Sequence, residues 1–224
     1  MPGLPFSSTA PGGRAGPRSR FSPGVRAVAG AVVLAIGLIL AVLAASAPAS
    51  GLQAATPADD SADAGFARDM SDHHAQAVEM SLIAVVRTEN PAIRTLATDI
   101  LLTQQAQIGM MHGWLDLWGL PLAGFGPRMA WMGHPIDGPM PGMATAEEMA
   151  SLRELPPDEA DVRFLELMIR HHKGGLHMAQ SGIDLAGQSV VRRLAEAMLM
   201  GQQAEIDAME RMLDEMAATP VAGG

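Results

Sequence analysis

The chain contains no cysteine and no tyrosine, and Lys173 is its single lysine. Without cysteine no disulfide can staple the fold, and thiolate metal sites are excluded. Stability must therefore come from an apolar core. No nucleophile elbow, phosphate-binding glycine loop or HExxH motif occurs, so hydrolase and nucleotide chemistry lack support. Glu-x-x-His, which di-iron carboxylate sites in helical bundles require, is also missing. Met70 stands three residues before His73, and Met168 three before His171.

Acidic residues are absent before Asp59. In that stretch Arg14, Arg18, Arg20 and Arg26 precede an apolar run from Ala27 to Ala45. A basic flank ahead of an apolar run is the pattern of an export signal. The run is about nineteen residues, long enough to span a bilayer. Signal peptide and retained transmembrane anchor both stay open, with Ala45-Ser46-Ala47 and Ala47-Pro48-Ala49 as cleavage candidates. Either way the remainder is placed outside the cytoplasm, secreted or held at the outer face of the cytoplasmic membrane. The expected segments are a disordered basic terminus over 1–26, signal or anchor over 27–47, a linker over 48–60, a helical domain over 61–217 and a disordered tail over 218–224. Beyond the signal the chain carries 11 basic against 24 acidic residues. Nucleic acid is thus not an expected partner, and a membrane is one only through an uncleaved N-terminal segment.

Methionine is abundant, with 17 in the chain. Two stretches share one pattern: FARDMSDHHAQAVEMS at 66–81 and FLELMIRHHKGGLHMAQ at 164–180. Phe66, Met70, His73, His74 and Met80 align with Phe164, Met168, His171, His172 and Met178 at a constant offset of 98. The offset holds through Arg94/Arg192, Leu101/Leu199, Gln104/Gln202, Ile108/Ile206, Met111/Met209 and Leu115/Leu213. A duplicated unit of about fifty residues is one helical hairpin rather than a solenoid repeat. Two copies predict an all-α fold, a four-helix bundle with pseudo-two-fold symmetry.

Periodicity places the helices. The first is predicted from near Ser61 to about Arg87, with Phe66, Met70, His73, Ala77, Met80 and Ala84 on one face. Asn90-Pro91 starts the second, which Gly119 and Pro121 stop. Residues 120–157 form a long, Met-rich connector in which Thr145 and Glu148 have capping-box spacing, predicting a short helix over 146–154. The third helix is expected over 158–186, ending at Gly187, and the fourth from a Ser189 cap to about Met216. Gly174 and Gly175 fall in mid-helix, where each costs about 1 kcal/mol relative to alanine. They make room either for a neighbouring helix or for a ligand.

Met70, His73 and Met80 lie on one helical face, as do Met168, His171 and Met178. His74 and His172 sit at the edge of that stripe. Symmetric pairing of the two helices would bring four imidazoles and four thioethers together. A Met stripe is ordinarily core filler. Buried imidazoles, however, are costly without partners, and the sequence offers few buried acids to pair them. Imidazole suits copper, zinc, nickel or iron, and thioether selects Cu(I), so copper is the expected ligand, with another transition metal left open. His177, His112 and His134 are further candidates, with Met132, Met140 and Met143, which with Met129 would make the connector a more exposed capture arm. Gln104 and Gln202 are candidates to orient the imidazoles.

These motifs, with MPGMATAEEMASL in the connector and QQAEIDAMERML in the last helix, resemble the domain-of-unknown-function 305 family. The resemblance covers roughly residues 60–217. It implies a ferritin-like fold and, since some exported members are associated with copper binding and copper tolerance, a role in copper sequestration, transport or tolerance. Carried over by motif, the implied ligands are Met70, His73, His74, Met80, Met168, His171, His172 and Met178. His177 departs from the small or apolar residue usual at that position. No catalytic residue is expected. A redox-active metalloenzyme and a non-metal interaction bundle at the cell surface stand as alternatives, and a homodimer stays open.

Overall fold

A computed structural model describes residues 56–218. The expected basic terminus, signal or anchor and C-terminal tail, and most of the linker, lie outside the described residues. Among the described residues no helix is long and apolar enough to cross a membrane.

The fold is all-α. Helix α1 spans Ala62–Arg87 and α2 spans Pro91–Leu117. The short α3 spans Ala146–Glu154, α4 spans Pro157–Leu185 and α5 spans Ser189–Ala218. The caps explain the boundaries. Ser61 accepts from the Ala64 N–H, and Asn90 accepts from the Ala92 N–H with Pro91 at the first helical position. Thr145 and Glu148 form the reciprocal capping box expected of them. Helix α4 ends at Leu185 with Ala186 extended as its cap, so Gly187 is not the left-handed stop that its position suggested.

Helices α1 and α2 form one hairpin, α4 and α5 the other, and the hairpins meet through α1 and α4. A ladder of contacts fixes the direction of that meeting. Asp63 accepts from the backbone N–H groups of Gly187 and Gln188. The Phe66 ring lies against Gly182. His73 stacks on His171. The Thr88 hydroxyl donates to Asp161 at 2.7 Å. As one helix is followed forward the other runs backward, so α1 and α4 are antiparallel and cross near the histidine pairs. Asp63 and Asp161 also share the offset of 98, so each carboxylate pins the turn of the opposite hairpin.

The apolar core divides into two clusters on either side of that crossing. One holds Met80, Met168, Phe164, Ile93 and Ile100. The other holds Phe66, Met70, Met178, Met111 and Met198, together with Met129, Met132 and Met140 from the connector. These three connector methionines are at most 8% exposed. The expected exposed arm is therefore core: its thioethers fill the end of the molecule instead of facing solvent. Asp69 anchors this segment by accepting from the Met129 N–H at 2.7 Å and the Trp131 indole N–H at 2.8 Å. Burial pushes the Asp69 carboxyl above its ordinary range, against those two bonds.

Candidate metal centre

The four paired histidines are buried, each at most 1% exposed. Burial includes His74 and His172, which periodicity had put only at the stripe's edge. The His73 and His171 rings stack with centroids 3.8 Å apart, and His171 lies 6.2 Å from His172.

Each Nε2 faces an oxygen. His73 Nε2 lies 3.1 Å from the Pro141 carbonyl, and His171 Nε2 lies 3.0 Å from the His73 carbonyl. His74 Nε2 lies 2.7 Å from Gln107 Oε1, and His172 Nε2 lies 2.7 Å from Glu205 Oε2. Opposite an acceptor, Nε2 must carry the proton of a neutral ring, and Nδ1 keeps its lone pair. All four Nδ1 atoms are buried without a partner. Three of the rings are also held neutral. Burial lowers His73 to about 4. Burial, then the neighbouring His73, lowers His74 to about 3. His171 is lowered well below its ordinary value, again chiefly by burial.

His74 and His172 are oriented by Gln107 and Glu205, and none of the four imidazoles by Gln104 or Gln202. Gln107 and Glu205 obey the 98 offset but differ in residue type, so a search for matching letters passes over them. Glu205 is also the buried acid that composition did not promise. Gln202 instead packs on Gly175, where a Cβ would strike its carboxamide, and a Cβ on Gly174 would strike the Pro141 carbonyl. Gly175 thus admits a neighbouring helix, the first of the two readings, whereas Gly174 admits the connector backbone, which is neither helix nor ligand.

The connector closes over one side of the cluster through Met140-Pro141-Gly142-Met143. Gly142 adopts φ +82, and a side chain there would meet the Arg170 carbonyl. Only glycine combines that backbone with so close an approach.

Met70, Met80, Met168 and Met178 are fully buried. Met70 and Met178 lie in one apolar cluster and Met80 and Met168 in the other, so two thioethers belong to the layer on each side of the histidines. Met132 and Met140 are buried in the first of these clusters, and Met143 packs against it half-buried. His112 is half-buried and lines the cleft that also holds Asp72 and Arg128. His134 and His177 are exposed and are not brought to the cluster. Among the described residues no three His, Asp or Glu side chains form a ready-made ligand set. The nitrogen donors are oriented but not preassembled around one point.

The sequence profile described as Domain of unknown function (DUF305) matches residues 63–213. A DUF305 protein of Streptomyces coelicolor, inferred to be secreted, is 51% identical with TM-score 0.69, covering 72% of this chain and 98% of its own. A DUF305 fragment from Deinococcus radiodurans is 35% identical with TM-score 0.58, covering 69% and 96%. CopM in its Cu(II)-bound form is 23% identical with TM-score 0.54, covering 69% and 97%, which is a likeness of fold. An uncharacterized protein of Acanthamoeba polyphaga mimivirus is 43% identical over 54 residues, and the match spans 36% of that relative's length and 24% of this chain.

Proposed function

We propose, from the premise that this chain belongs to the DUF305 family, that it is an extracytoplasmic copper-binding protein with a ferritin-like four-helix bundle. The carrying observation is the set of four buried imidazoles whose Nε2 atoms are satisfied and whose Nδ1 lone pairs are not. A buried acceptor without a donor is expensive. A metal ion relieves that cost, and an oxygen partner on the opposite ring nitrogen is the usual companion of a ligating histidine. His73, His74, His171 and His172 would supply nitrogen. Met70, Met80, Met168 and Met178 would supply sulfur from the flanking layers. Soft thioether with imidazole, and no thiolate, favours Cu(I) over hard divalent ions. CopM, which shares the fold, has been solved with Cu(II), Cu(I) and silver, and that supports the same reading.

Copper is cargo here, sequestered or carried without turnover. The chain's part is to hold four buried rings with Nε2 turned to an oxygen and to keep water from them.

Anaerobic titration of the full chain with Cu(I) against a chromophoric chelator tests the reading, beside His73→Leu/His171→Leu and His74→Leu/His172→Leu. Leucine fills much of the volume and has no lone pair. Wild type is expected to take copper from the chelator. Each double variant should weaken binding by at least about 100-fold, the upper range for disturbing a metal shell, while its copper-free circular dichroism stays helical. No copper uptake by wild type, or undiminished uptake by both variants, would overturn the proposal.

A further inference from the structure

Resting on the copper reading, the structure carries one step more. We propose that the cavity between α2 and α5 is the inlet through which a hydrated soft metal ion reaches the histidines, with Asp99 as its first docking group.

The imidazoles have almost no contact with solvent, so an ion needs a path. The first helices α1 and α4 close one side of the cluster and Pro141 covers another. The second helices α2 and α5 stand apart, and between them lies a cavity of about 290 Å³. At about 30 Å³ per liquid water, that volume holds an ion with several waters.

Four observations fit the cavity to a cation on its way inward. Gln107 and Glu205 both line it, and they are the groups that bond His74 and His172. The cavity therefore ends one side chain from an imidazole of each hairpin. Next, both polar atoms of the Gln104 carboxamide, Gln202 Oε1 and Asp99 Oδ2 are buried without a partner, and all three residues line the same cavity. Gln104 and Gln202 are 2% and 5% exposed, so bulk water does not satisfy them. Third, two carboxylates and no basic side chain line the walls, which admits a cation and repels an anion. Last, oxygen donors hold a soft ion more weakly than imidazole and thioether do. An ion docked there keeps its water and passes on. The larger cleft around Trp131, Arg68 and Arg128 touches neither the four paired histidines nor their acceptors.

Stopped-flow uptake of Ag⁺ by the full chain tests this, read by quenching of Trp114, Trp118 and Trp131. Ag⁺ is a soft aqueous ion that needs no reductant. The amplitude missing in His74→Leu/His172→Leu marks the internal site. Ala106→Trp narrows the inlet, Asp99→Asn removes its charge, and Ala204→Trp places equal bulk on another face of α5. A passage changes rates and not equilibrium. Ala106→Trp is expected to slow both uptake and release on the order of tenfold at unchanged Kd, because the path must now open. Asp99→Asn should slow uptake about three- to tenfold at low salt, an effect that fades as salt rises. Ala204→Trp should match wild type. Equal rates in all four proteins would overturn the inlet, as would loss of equilibrium binding in Ala106→Trp, which would make the cavity the site itself. Absence of Ag⁺ uptake by wild type would overturn it too. The Cu(I) titration decides the copper reading separately.

Discussion

At the scale of the residue, the site rests on neutral imidazoles, and neutrality has a pH signature. His73 at about 4 and His74 at about 3 lie below the ordinary histidine value, so the folded chain binds fewer protons than the unfolded one between those values and about pH 6.5. Stability is then full above about pH 6.5 and falls as pH drops toward 4. Denaturant midpoints from pH 7 to 4 should decline over that window, less in His73→Leu/His171→Leu. A flat profile would mean the rings are charged or exposed in the folded state. Glu205 gives a second test. It is the one carboxylate among the four Nε2 acceptors, held 2.7 Å from His172. Glu205→Gln copies the other hairpin's Gln107 and should weaken Cu(I) binding by about tenfold, the lower range for a group behind a ligand, in the same chelator competition. The histidines were legible because their letters repeat. Their partners were not: 104 and 107 share a helical face, and periodicity does not say which of them reaches an imidazole.

At the scale of the element, the connector departs most from expectation. Glycine, proline and methionine at that density read as an exposed arm, and the capping box of α3 was the only regular feature its letters revealed. In the structure Met129, Met132 and Met140 complete an apolar cluster, and the Pro141–Gly142 backbone lies against α4. That packing depends on tertiary contact, which local sequence does not encode. Gly174 carries the consequence. A methyl there meets backbone, which cannot swing aside as a side chain can. Gly174→Ala should cost about 2–3 kcal/mol through overpacking and lower Tm by roughly 5–10 °C, despite alanine's better helix propensity. A rise in Tm would show that the connector is not seated there.

At the scale of the whole molecule, the constant offset disclosed two equivalent hairpins, and their class and boundaries followed. It could not disclose how they face each other, because direction between equal units is settled by contacts far apart in the chain. The pairing of Phe66 with Gly182 and of Asp63 with Gly187 supplies it. Asp63 and Asp161 then have an effect that reaches past geometry. Turns are ordinarily the first places where amide protons meet solvent. Here the Gly187 and Gln188 amides are held by the other hairpin's Asp63, while Arg192 holds the Ala186 and Gly187 carbonyls of its own. Arg94 does the same for Val85 and Thr88. Amide exchange at Gly187 and Gln188 should therefore be as slow as in the helix interiors, and should rise to loop-like rates in Asp63→Ala while the helices stay protected. Fast exchange there in wild type would show that the turns fray independently. If they do not, the two hairpin turns are guarded points, and the bundle comes undone by parting its halves rather than by unravelling from a corner.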